Sequence, residues 1–172
     1  MKIMRRLFAA LFLVTILVSG CDMPYGDEVQ HTFTQAREEV VKVELCFSNE
    51  ERILQEGSKM NSLTVLAVLP NEEIDFLWQE LLELPAYKLR FVANGCGDLL
   101  FVISYANGKQ ELIGFYEIGV LNADGTFGGY RSHVLGDRAL LAQLFARYAD
   151  PEMLAKASMT FRSYYVAEGT SS

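Results

Sequence analysis

Apolar residues along this chain switch repeatedly between a period of two and a period near 3.6, and those switches mark out a succession of strands and helices. From Glu39 to Phe47 the pattern alternates, with Val41, Val43, Leu45 and Phe47 on one face and Val40, Lys42, Glu44 and Cys46 on the other. That predicts a half-buried strand, with Cys46 on its more polar side. A charged, turn-rich loop follows, and Leu63 to Leu69 predicts a second strand, stopped by Pro70. Asn71 then stands as N-cap before Glu72 and Glu73, and Ile74, Leu77, Trp78, Leu81 and Leu82 form the stripe of an amphipathic helix that ends before Pro85. Trp78 lies inside that stripe, so it is expected to be core rather than an exposed anchor.

Ala86 to Asp98 has no period and contains Gly95-Cys96-Gly97. Leu99 to Tyr105 and Gln110 to Val120 flank Asn107-Gly108, the signature of a hairpin with a two-residue type I′ loop. Such a loop pairs Ile103 with Leu112, Val102 with Ile113 and Leu100 with Phe115. After the turn residues Asn122 to Gly125, Thr126 to Val134 predicts another strand. Asp137 then caps a helix with the stripe Leu140, Leu141, Leu144, Phe145 and Tyr148, ending at Asp150-Pro151. A short third helix over 152–157 and an aromatic stretch over 159–166 precede a frayed tail. The order β, β, α, hairpin, β, α predicts an α+β domain: a four- to five-stranded, mainly antiparallel sheet with two helices packed on one face.

The amino-terminal end follows a different rule. Lys2, Arg5 and Arg6 precede an apolar run from Leu7 to Val18, interrupted by Thr15, and Val18-Ser19-Gly20-Cys21 closes it. A basic region, a short apolar core and small residues at a cut site are the three parts of a secretory signal, and the run is too short to span a bilayer. The stretch resembles the lipobox of bacterial lipoproteins, with Val18 where Leu is commonest. The resemblance covers residues 1–21. It implies that a diacylglyceryl group is attached to the Cys21 sulfur, that cleavage makes Cys21 the first residue, and that the protein is anchored on the extracytoplasmic face of the cell membrane. The expected organisation is signal 1–20, lipid-anchored tether 21–38 reaching roughly 20 Å, domain 39–166 and tail 167–172.

Charge sharpens this. The chain has 15 Lys+Arg and 22 Asp+Glu; the signal holds three cations and no anion, so the mature chain has 12 against 22, a charge of −10. Such a field excludes nucleic acid as a partner and favours a basic one, or serves solubility alone. With Cys21 acylated, Cys46 and Cys96 remain, as a disulfide in an oxidising compartment or as two part-buried thiols; no spacing supports a metal pair.

Candidate chemistry is sparse. Glu72, Glu73 and Asp75 are explained by a helix start, where the dipole favours acids. Asn122 to Gly125 lacks the bidentate Glu of a calcium loop, since His133 stands at the twelfth position. His31 falls in the tether as a surface residue, and His133, alternating with Arg131, is expected at the surface or packed. No nucleophile elbow, phosphate loop, zinc-protease helix or dinucleotide fingerprint occurs. The expectation is therefore a non-enzymatic lipoprotein without cofactor or catalytic residues that binds another protein or an envelope component. A single-lobed small-ligand binder and an inhibitor or immunity protein against a basic envelope-active enzyme are the alternatives.

Overall fold

The computed structural model describes residues 25–48, 54–60, 63–89, 96–149 and 152. Cys21 with its signal, and the segments 153–157 and 159–166, lie outside the described residues. Among the described residues two antiparallel sheets and two α-helices make up an α+β fold. Among the described residues the strands are β1 (Tyr25–Val29), β2 (Val40–Ser48), β3 (Leu63–Val68), β4 (Ala86–Leu89), β5 (Leu99–Tyr105), β6 (Gln110–Gly114), β7 (Ile118–Leu121), β8 (Phe127–Tyr130) and β9 (His133–Leu135). The helices are α1 (Asn71–Glu83) and α2 (Arg138–Tyr148). A six-stranded sheet runs β3-β2-β5-β6-β7-β8 and a three-stranded sheet runs β1-β4-β9. The expected single sheet of four to five strands is thus replaced by two.

The helical stripes behave as their spacing predicts. Ile74, Leu77, Trp78 and Leu81 are buried on α1, and Leu141, Leu144 and Phe145 on α2. Both meet Val43, Leu45, Phe101, Ile103 and Ile113 from one face of the long sheet in a single core, which Leu135 and Ala86 of the short sheet join. Phe101 and Phe145 stack with centroids 4.6 Å apart. Asp137 caps α2, its Oδ1 accepting from Leu140 N at 2.9 Å. Asn71 does not cap α1: it is the first helical residue, and the Pro70 carbonyl accepts from Glu73 and Ile74 N–H at 3.0 and 3.1 Å.

The opposite face of the long sheet buries a second, smaller cluster of Cys46, Cys96, Leu100, Val102, Leu112 and Phe127, with Leu121 beside them. Cys46 is 1 % exposed there, so the side of β2 that reads as polar in sequence is covered at its Cys46 end, while Lys42 on the same side stays exposed. A bulge between Val40 and Lys42 turns Val41 outward, away from the face it shares with Val43 in a regular strand.

Three differences from the predicted strands position the site. First, the β5–β6 loop has three residues, not two. Gly108 N–H donates to the Tyr105 carbonyl at 2.9 Å, Tyr105 N–H to the Lys109 carbonyl at 3.0 Å, and Gly108 has φ +82°. That is a turn closed by a glycine in the left-handed region, and it moves the register by one, so Ile103 pairs with Glu111 and Val102 with Leu112. A one-residue slip reverses every side chain of the partner strand, and it carries Glu111 onto the main core face. Second, the 110–120 stretch folds back on itself as β6 and β7, pairing Leu112 with Gly119. The carbonyl of Cys96 lies where a side chain on Gly114 would begin, so only glycine fits at the end of β6. Third, the 126–134 stretch divides between sheets, as β8 beside β7 and β9 beside β4. Arg131 and His133 therefore stand at the crossing from one sheet to the other.

Residues 25–38 are not a tether from Tyr25 onward. β1 pairs with β4, placing Val29 opposite Ala86, and Phe33 stacks on Trp78 with centroids 3.6 Å apart. Phe33 covers the indole, leaving Trp78 7 % exposed.

Candidate functional site

The buried polar chemistry gathers where residues 31–34 cross between the two sheets. Alternation within this short arm gives each residue its own attachment. His31 Nδ1 lies 3.0 Å from His133 Nε2, linking the arm to β9. The Thr32 carbonyl accepts from Arg131 Nη2 at 3.0 Å. Phe33 lies on the indole of α1, and Thr34 donates from both N and Oγ1 to Glu111 Oε2, at 3.1 and 3.2 Å.

Glu111 is the centre of this arrangement. It is 0 % exposed, and its two oxygens accept four donors: the Thr34 pair, Tyr105 Oη at 2.7 Å and Arg131 Nη1 at 2.9 Å. A buried carboxylate is tolerable only when paired and hydrogen-bonded, and this one meets both conditions. Burial and the adjoining Glu111 carboxylate push the Tyr105 phenol well above its usual range, so Tyr105 stays a donor. Burial, then His133 and Arg131, lower the His31 pKa from 6.5 to about 3, and burial with Arg131 also lowers that of His133. Both imidazoles are neutral near pH 7, and one ring nitrogen donates to the other. Both histidines are thus structural partners: His31 is 1 % exposed, contrary to the surface position predicted for it, and His133 is packed at 6 %.

Most of these polar groups face one another rather than an open space. His31 also lines a cleft of about 430 Å³, which is bounded by Glu28, Val29 and Gln30 at the end of β1 and by Leu82 to Pro85 at the end of α1. Its Nε2 has no hydrogen-bond partner among the described residues. No group of three or more His, Cys, Asp or Glu suited to a metal ion occurs among the described residues.

The other sequence candidates separate. Glu73 accepts from Tyr148 Oη at 2.9 Å and Asp75 pairs with Arg37 at 2.8 Å, so these acids join α1 to its surroundings. Asp124 Oδ1 accepts from Thr126 N and Oγ1, within a turn completed by Gly125 at φ +78°. The disulfide weighed for Cys46 and Cys96 is not formed, and both are free and buried. Cys96 Sγ is 3.1 Å from the point where a Cβ on Gly119 of β7 would lie, whereas Cys46 belongs to β2. At roughly 4.8 Å per strand this is about 10–14 Å away, beyond the roughly 7 Å between Cα atoms that a disulfide allows. Burial, reinforced by Glu44 for Cys46 and Glu117 for Cys96, pushes both thiols up to about 12. Both are expected to resist a thiol reagent in the folded protein and to react together on unfolding without reductant; a bond surviving non-reducing denaturation would show otherwise.

Sequence reasoning missed the arm and Glu111. The alternation His31-Thr32-Phe33-Thr34 was available, but four residues are too few to give a period. Among the described residues no helix is long and apolar enough to cross a membrane. Comparison of the chain with family models, curated proteins and solved structures finds no match.

Proposed function

We propose that this protein is a lipid-anchored recognition domain on the outer face of a bacterial cell membrane, binding another protein or an envelope component rather than catalysing a reaction. The observation that supports this best is the use made of the buried acid and phenol and of the part-buried arginine beside them. Glu111, Arg131 and Tyr105 satisfy one another and the Thr32–Thr34 backbone, which fastens the amino-terminal arm to the domain. A general acid or base must reach a substrate proton, and Glu111 at 0 % exposure is enclosed by its own donors. The sequence Val18-Ser19-Gly20-Cys21 supports the anchor.

The fold also shortens the leash. Three residues separate Cys21 from β1. Even fully extended, that length spans about 14 Å, so an acylated Cys21 holds the domain close to the headgroups and limits it to partners at the membrane surface. The alternative of a small-ligand binder draws support from the cleft, whose size falls in the ordinary range for ligand sites of about 300–1,000 Å³.

The anchor is tested by Cys21→Ala. The variant is expected to leave the membrane fraction or to persist as an unprocessed precursor, because stable attachment takes two or more acyl chains. Mature-sized protein retained in membranes at the wild-type level would refute it. Photo-crosslinking of the full-length protein in its native membranes tests recognition, with a discrete adduct expected.

A further inference from the structure

The carboxyl end of α1 carries the wrong charge for a helix. Its last carbonyls lack intrahelical partners and present partial negative charge, which favours a cation there. α1 has no basic residue in its last turn, while Glu80 and Glu83 lie at that end. One carbonyl, that of Glu80, is met by Leu84 N–H at 3.2 Å. Glu83 lines the 430 Å³ cleft, and Glu28 lines it from β1; neither Lys nor Arg is among the lining residues. Carboxylates and helix dipole therefore act in the same direction, toward a positive occupant.

His31 supplies an independent indication. It is 1 % exposed and lines the same cleft, its Nδ1 is engaged by His133, and its Nε2 has no partner among the described residues. A buried polar atom without a partner costs free energy, so such an atom beside a cleft calls for an explanation. When Nδ1–H donates to His133, Nε2 carries a lone pair and is an acceptor. The ring is held neutral by its surroundings, so it does not repel a cation.

We propose that this cleft binds a primary ammonium group, which donates one N–H each to the Glu28 carboxylate, the Glu83 carboxylate and His31 Nε2, in the negative field at the carbonyl end of α1. The inference rests on the recognition reading above and names the chemistry recognised. An ammonium has three donors diverging from one nitrogen, which suits three separate acceptors, whereas a guanidinium fork suits a single carboxylate held in its plane. Two carboxylates fall short of the six or more oxygens that calcium takes. The source is the lysine side chain of a protein or a free alkylamine.

Calorimetric titration of the full-length protein in detergent micelles decides it, with two probes: a capped Gly-Gly-Lys-Gly-Gly peptide and cadaverine. Binding of either, at least tenfold tighter than that of the peptide acetylated at its lysine, is the expected result. Preference for the peptide identifies a protein source, and preference for cadaverine a free amine. Glu28→Gln with Glu83→Gln is expected to weaken binding at least tenfold while leaving the melting temperature unchanged or raised, since it removes an acid from a helix end. Failure of both probes, equal binding of the acetylated peptide, or undiminished binding by the double variant overturns the proposal. If the double variant still forms the wild-type membrane adduct, the cleft is not the recognition point, and the recognition reading stands without it.

Discussion

Glu111→Ala is expected to remove a large share of the domain's stability while leaving it folded at ordinary temperature. The substitution removes the acceptor of four hydrogen bonds. It leaves the Arg131 guanidinium without its carboxylate and Tyr105 Oη without its acceptor, at a place where Glu111 itself has no contact with water. Removing one member of a buried ion pair costs up to about 3–5 kcal/mol, less where the remaining charge reaches solvent as Arg131 partly does, against a total stability of roughly 5–15 kcal/mol for an ordinary domain. Glu111→Gln retains an acceptor oxygen and is expected to lose less, about 2 kcal/mol, the difference reflecting charge. Urea denaturation of the full-length protein measures both. A loss below about 1 kcal/mol for Glu111→Ala would mean that the arm is held chiefly by Phe33 on Trp78.

Acidification is expected to loosen the same arm through the histidines. The folded pKa of His31 is depressed from 6.5 to about 3 and that of His133 is also lowered. Below pH 6.5 the unfolded chain binds protons that the folded one refuses. The stability is therefore fully present above that pH and is lost as pH falls toward the folded pKa values. The groups facing the pair make the direction firm: His31 meets His133, Arg131 and Phe33, so a proton on either ring introduces a cation beside Arg131. From the His31 shift alone the loss is about 2 kcal/mol between pH 7 and pH 5, at 1.36 kcal/mol per unit, and on the order of 4 kcal/mol by pH 3. Urea midpoints at pH 7 and pH 5 test it in a range where most carboxylates remain ionised. His31→Gln is expected to flatten the dependence, and a wild-type slope in that variant would assign it to other groups.

Both helices were legible in sequence because a stripe of five apolar residues at helical spacing has only one face to bury, and both bury it on the long sheet. The hairpin was legible as a hairpin and wrong in detail. Asn107-Gly108 serves a two-residue loop and a three-residue loop equally well, since both place glycine at positive φ, and only the Tyr105–Lys109 pairing distinguishes them. The cost of that ambiguity falls on the site, because the true register turns Glu111 inward. The division of 126–134 between two sheets was hidden because β8 and β9 continue one alternation, with Arg131 and Ser132 between them. His31 and His133 are 102 residues apart, a pairing that no local pattern reveals.

That separation has a consequence for how the chain assembles. The amino end is synthesised first, yet among the described residues the polar partners of the arm come from the second half of the sequence: Thr34 waits for Glu111, 77 residues later, and His31 for His133, 102 residues later. Closing loops of this length is unfavourable until the sheets exist to receive the arm, which puts its docking late in folding. A nascent chain halted before Arg131 would leave one edge of β4 open, a window for proteases and chaperones that closes only when β9 arrives.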